Sequence, residues 1–100
     1  MSTLTERFYR GVQRVDERVP DWYERIDKDQ LNMMSVNNCL LAQLDGGTYR
    51  NTNLILEEYE NGIDFAFDIT SEEYRSYECL AHYEKLTEIW KEEIDKRLNS

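Results

Sequence analysis

The chain has 100 residues, 40% hydrophobic and 12% aromatic, with a formal net charge of -9. That length holds one small domain around one core, and the acidic balance argues against direct binding to nucleic acid, whose phosphates require Lys and Arg. No apolar run approaches the roughly 20 residues that span a bilayer, and the opening MSTLTERFYRGVQRV has no signal-peptide core, so a cytoplasmic protein with no membrane contact is expected.

Leu4, Phe8, Val12 and Val15 recur at the spacing of one helical stripe, with Arg7, Arg10, Arg14 and Arg18 as a basic ridge beside it. Pro20 disfavours helical geometry at Val19 and opens a short second helix carrying Trp22 and Ile26. DKDQLNMM then reads as a polar loop with Leu31, Met33 and Met34 turned inward. Ser35 is the expected N-cap of a third helix, whose face is Val36, Cys39, Leu40 and Leu44 and whose stop is Gly46-Gly47. Gln43, one turn after Cys39, reads as an amide that ties two loops together, near the polar Asn37 and Asn38.

A shorter helix is expected over roughly 52 to 60, packing Leu54, Ile55 and Tyr59 and ended by Asn61-Gly62. Ile63, Phe65, Phe67 and Ile69 then alternate with Asp64, Ala66 and Asp68, which predicts one short strand or extended connector. Thr70-Ser71-Glu72-Glu73 is a capping box. It opens a helix predicted from Glu72 to about Leu98, free of Gly and Pro, with Cys79, Tyr83, Leu86, Trp90 and Ile94 on one face and Glu84, Glu88, Glu92 and Asp95 on another. The fold class is therefore mainly α: a compact helical domain over 1–100, with a long C-terminal helix and at most one short strand or extended segment. Trp22 and Trp90 are assigned to its core.

Several of these motifs resemble a family of small uncharacterised proteins encoded by actinobacteria and their bacteriophages. The shared pattern is P-x-W-x-x-x-I-D, C-x-x-x-Q-L-x-G, a later Gly and Phe, and L-T-x-x-W. It falls here on Pro20, Trp22, Ile26, Asp27, Cys39, Gln43, Leu44, Gly46, Gly62, Phe65, Leu86, Thr87 and Trp90. Asp45 stands where the family has an apolar or aromatic residue, and Ile63-Asp64 lengthens the Gly-Phe spacing. The resemblance implies a compact helical fold and a phage or prophage setting, and brings no activity.

Catalytic chemistry finds little support in the residues. His82 is the only histidine, and Cys79-x-x-His82, which Cys39 could join in space, lacks the fourth ligand of a structural zinc site. Adjacent carboxylates such as Glu57/Glu58 or Glu72/Glu73 diverge on a helix, and Gly46-Gly47 follows a helix instead of opening one, so no phosphate loop is present. The chain is read as non-enzymatic, with no cofactor and no metal.

Charge placement is more informative. Residues 51–100 carry 13 Asp and Glu against 5 Lys and Arg, and nothing basic lies between Arg50 and Arg75. Glu57, Glu58, Glu60, Asp64, Asp68, Glu72 and Glu73 fill that interval, flanked by Tyr49, Tyr59, Tyr74 and Tyr77. This composition suits protein binding. The expectation is an inhibitor of the anti-CRISPR or anti-restriction kind, monomeric or homodimeric. Its carboxylates would imitate phosphates and occupy the groove of a host nucleic-acid-binding protein, anchored by Tyr59 and Tyr74. The alternative is a structural or regulatory interaction domain whose acidic face only confers solubility. Pairing of the arginine ridge with Glu84, Glu88, Glu92 and Asp95 would leave the 57–73 cluster as the acidic working surface.

Overall fold

A computed structural model describes residues 3–35, 37–45, 55–57 and 60–99 of the chain. Among them are five α-helices and no strand: α1 (Leu4–Arg18), α2 (Trp22–Arg25), α3 (Leu40–Asp45), α4 (Ser71–Arg75) and the long C-terminal α5 (Cys79–Leu98). A 3-10 turn, Gly62–Phe65, joins them where alternation suggested a strand.

The hydroxyl of Thr3 caps α1 by accepting from the Glu6 amide at 3.1 Å, and the helix stops one residue short of Pro20. Its buried face is Arg7, Gly11 and Val15, while Leu4, Phe8 and Val12 are only half-buried. The helix is thus turned toward its arginine side, and Gly11 explains why. A Cβ there would stand 2.0 Å from the Phe65 carbonyl oxygen and 3.1 Å from Trp90, so only glycine lets the 3-10 turn lie against the helix.

Pro20 breaks the chain as expected, and α2 delivers Trp22 to the core with its Nε1 donating to Asp16 at 2.9 Å. Leu31 and Met33 are buried, but Met34 is 47% exposed. The correction follows from backbone anchoring: the Met33 amide donates to Thr87 Oγ1 at 2.9 Å, which fixes Met33 inward and leaves its neighbour outside. Ser35 caps a turn rather than a helix, accepting from the amides of Asn37 and Asn38, and α3 begins only at Leu40. Val36 and Gly46-Gly47 lie outside the described residues. Gln43 does tie two loops: it accepts from the Asp27 amide at 2.6 Å and donates to the carbonyls of Asp27 and Asn38.

Of the helix expected over 52 to 60, only Ile55–Glu57 and Glu60 are described; the first three residues form no helix, with Ile55 and Leu56 buried. Asn61 caps the 3-10 turn, and Ala66 ends it in the left-handed region at φ 57°. Alternation put Ala66 on the polar side, yet it is fully buried, because its carbonyl accepts from Trp90 Nε1 at 2.8 Å. Trp90 is the hub of the core, with the rings of Phe8, Trp22 and Phe67 at 4.8, 5.6 and 5.6 Å.

Both halves of the capping box form, Thr70 with the Glu73 amide and Glu73 with the Thr70 amide. The helix predicted to follow without interruption instead breaks at Ser76, whose ψ of 162° is extended. Its hydroxyl donates to the Glu73 carbonyl at 2.8 Å and accepts from the Glu78 amide at 3.2 Å. A serine side chain that competes for backbone groups in this way ends one helix and starts the next without Gly or Pro. Beyond it, α5 buries Leu86, Trp90 and Ile94.

Candidate protein-binding surface

The arginine ridge of α1 faces the acidic segment itself. Arg14 holds both carboxylate oxygens of Glu60 and reaches the Ile55 carbonyl at 3.1 Å. Arg18 pairs with Glu57 at 2.7 Å, and Arg10 donates to the Asp64 carbonyl at 2.9 Å. Arg7, buried, reaches the Ile63 carbonyl at 3.5 Å. The alternative partners on α5 are differently engaged: Asp95 pairs with Lys28, and among the described residues Glu84, Glu88 and Glu92 meet no cation within ion-pair distance.

Hydrogen bonds from Arg14 and from the Glu57 amide hold the Glu60 carboxyl down at about 2, against an ordinary 4.5. A depressed carboxylate stabilises the fold above its unfolded value, and that contribution disappears as pH falls through the folded one. Glu60→Gln is therefore expected to flatten the pH dependence of stability between about pH 4.5 and 2, followed as the urea midpoint at successive pH values. An unchanged slope would show that the pair contributes nothing.

The other proposed contact residues are dispersed. Asp68 accepts from the Tyr83 hydroxyl at 2.9 Å, and burial together with this bond pushes the Tyr83 phenol well above its ordinary range. Glu73 lies in the capping box and 3.1 Å from His82 Nδ1; burial opposes its charge, but the Thr70 amide holds its carboxyl below the usual range. Asp64 and Glu72 are exposed, with no cation paired to either carboxylate among the described residues. Glu58 and Tyr59 lie outside the described residues. Tyr74 is 64% exposed. Six of the seven acids are described, and four of these six are committed to partners within the chain.

The stretch 72–84, the corner where α4 gives way to α5, exposes both apolar and acidic side chains. Tyr74, the fully exposed Tyr77 and Leu80, 61% exposed, are three of the six large hydrophobic side chains that the described residues present to solvent. Glu72, Glu78 and Glu84 of the same stretch are exposed without an ion-pair partner among the described residues, and Arg75 is its one exposed cation. An open cleft of about 380 Å³ adjoins the corner, lined in part by Ile63, Ile69, Thr70, Tyr74 and Tyr83. Sequence reasoning named Tyr74 and Tyr77 but missed Leu80 and Glu78. One signal was available: Leu80 falls off the Cys79, Tyr83, Leu86, Trp90 stripe, an apolar residue with no place in the core.

Further along α5 the outer face is mixed. Glu84, Glu88 and Glu92 are interleaved with Lys85, Lys91 and Lys96, a pattern that solvates a helix rather than presenting a row of like charge. Cys39 is a buried thiol, its ionisation pushed up by that burial, and Cys79 is a half-buried one. No three His, Cys, Asp or Glu among the described residues are placed to hold a metal ion, and no described helix is long and apolar enough to cross a membrane. No protein family, curated protein or solved structure matches the chain.

Proposed function

We propose that this protein is a non-enzymatic binding domain that docks on a basic surface of another protein through the corner between α4 and α5. The single observation that carries this reading is the exposure of Tyr74, Tyr77 and Leu80 within the stretch 72–84, which also exposes Glu72, Glu78 and Glu84. Aromatic anchors surrounded by charge are the composition of a binding hot spot, and the uncompensated carboxylates select a cationic partner. A nucleic-acid-binding protein presents such a surface, so inhibition by occupying its groove is the activity that fits best. The acids nearest α1 then serve folding, since Arg14 and Arg18 neutralise Glu60 and Glu57.

The second reading, acidity for solubility alone, draws on the mixed outer face of α5. Affinity capture from cell lysate separates the two, comparing wild type with Tyr77→Ala/Leu80→Ala and with Glu72→Gln/Glu78→Gln/Glu84→Gln. All altered side chains are exposed, so each change is expected to move stability by no more than about 0.5 kcal/mol. Docking at the corner predicts a captured protein that both variants lose, that raised salt releases and that added nucleic acid displaces. Equal capture by all three proteins, or by none, would contradict it.

A further inference from the structure

A second surface, remote from the corner, lies between α1 and α5. The two helices run in the same direction: Phe8 stacks edge-on against Trp90, and eight residues further along α1 Asp16 receives two bonds from Arg97, each 2.9 Å. Beside these contacts lies an open groove of about 590 Å³, with Leu4, Phe8 and Ile89 as its apolar lining and Lys85, Glu92 and Lys96 on its α5 rim. The three apolar residues are only half-buried. Lys85 and Glu92 are exposed, and neither meets an ion-pair partner among the described residues.

The order of charges along this rim is self-complementary. Lys85 precedes Ile89 by four residues and Glu92 follows it by three, so all three fall near one line along α5. A second α5 laid antiparallel, with a two-fold axis passing close to Ile89, sets Ile89 against its own mate. It also places each Lys85 opposite Glu92 of the other copy. A two-fold axis makes both ion pairs at once, as an isologous interface requires. Glu93, on the same rim, is already bonded to Arg97 at 2.9 Å and is not needed.

We propose that this groove is the interface of a homodimer in which the α5 helices pack antiparallel. The occupant of the groove is a second copy of this chain, chosen by the Lys85/Glu92 complementarity and by the apolar residues left open between them. Nothing in the proposal depends on the corner binding a partner. Leu80 lies nine residues from Ile89, about two and a half helical turns and so on the opposite face of α5, which leaves both corners open at opposite ends of the dimer. Two such corners on one particle would raise avidity for a partner with repeated basic sites.

Charge reversal tests the register directly. Wild-type protein is expected to sediment as a dimer at tens of micromolar in low salt, while Lys85→Glu and Glu92→Lys each weaken dimerisation by about tenfold or more, because each places two like-charge pairs across the axis. An equimolar mixture of the two single variants is expected to restore both ion pairs in a heterodimer, an association that neither variant forms alone. The double variant Lys85→Glu/Glu92→Lys is expected to dimerise as wild type does. A wild-type protein that stays monomeric at millimolar concentration would overturn the proposal. So would a dimer indifferent to both single reversals, or a double variant no better than the singles. Circular dichroism of each variant keeps the reading clean, since both side chains are exposed and the fold is expected to be unchanged.

Discussion

Gly11→Ala is expected to destabilise the protein, although the same change in the middle of an ordinary helix stabilises it. Helix propensity alone favours Ala over Gly by about 1 kcal/mol. Here the added methyl would meet the Phe65 carbonyl oxygen at 2.0 Å and the Phe65 carbonyl carbon at 3.0 Å. Those atoms are backbone, so the clash cannot be relieved by a side chain swinging aside. Either the 3-10 turn lifts from α1, or α1 shifts and disturbs Arg10 and Arg14, which bond the same segment. Overpacking of this kind typically costs 1–3 kcal/mol and occasionally more; against rigid backbone the cost falls at the upper end, so about 2 kcal/mol is lost net of the propensity gain. For a domain of this size that lowers Tm by roughly 10 °C or somewhat more. Gln13→Ala, at an exposed position on the same helix, is the control, expected to change stability by no more than about 0.5 kcal/mol. A Gly11→Ala protein as stable as wild type would mean that the turn does not rest on α1.

The second large effect is at Trp90. Truncation to Ala is expected to cost about 3–5 kcal/mol for the lost packing alone. The indole touches rings from α1, α2 and the segment after the 3-10 turn, so no single element can move in to fill the space. Its Nε1 also supplies a donor to the Ala66 carbonyl, whose residue is fully buried in a left-handed conformation. Losses of that size approach the whole net stability of a small domain, on the order of 5–15 kcal/mol. Trp90→Ala is therefore expected to be largely unfolded at 37 °C. Trp90→Phe keeps most of the ring but orphans the carbonyl, an expected loss of about 1–3 kcal/mol beyond the smaller volume. Urea titrations followed by far-UV circular dichroism measure both. Equal midpoints for wild type and Trp90→Phe would show that the hydrogen bond does not hold the turn.

The local chemistry of the chain was legible from its residues. Thr70 and Glu73 form their capping box because the signal spans four consecutive residues, and Pro20 ends α1 because its ring acts on the residue beside it. Trp90 and Ile94 were readable as core from spacing alone. What escaped depends on residues distant in the chain. The buried side of α1 is set by a glycine that matters only once the Phe65 backbone lies against it. Ser76 breaks a helix that holds no Gly or Pro, because its hydroxyl finds backbone partners on both sides.

The acidic segment shows the same limit at the level of the site. Composition marked it as a run of unopposed negative charge, and within the segment that is true. Arg14 and Glu60, however, are 46 positions apart, and no local pattern announces their pairing. Tyr74 was identifiable as a candidate anchor because it follows the acids directly. Leu80 gave a fainter signal, as an apolar residue that falls off the buried stripe of α5.

Docking of a partner on Tyr74, Tyr77 and Leu80 is the activity proposed for this protein. Its most direct test is hydroxyl-radical footprinting of the protein alone and in complex with the partner recovered by capture. Docking at the corner predicts that Tyr74, Tyr77 and Leu80 lose reactivity on binding, while Tyr9, exposed on α1, keeps its own. Tyr74, Tyr77 and Leu80 as reactive in the complex as in the free protein would contradict docking at the corner.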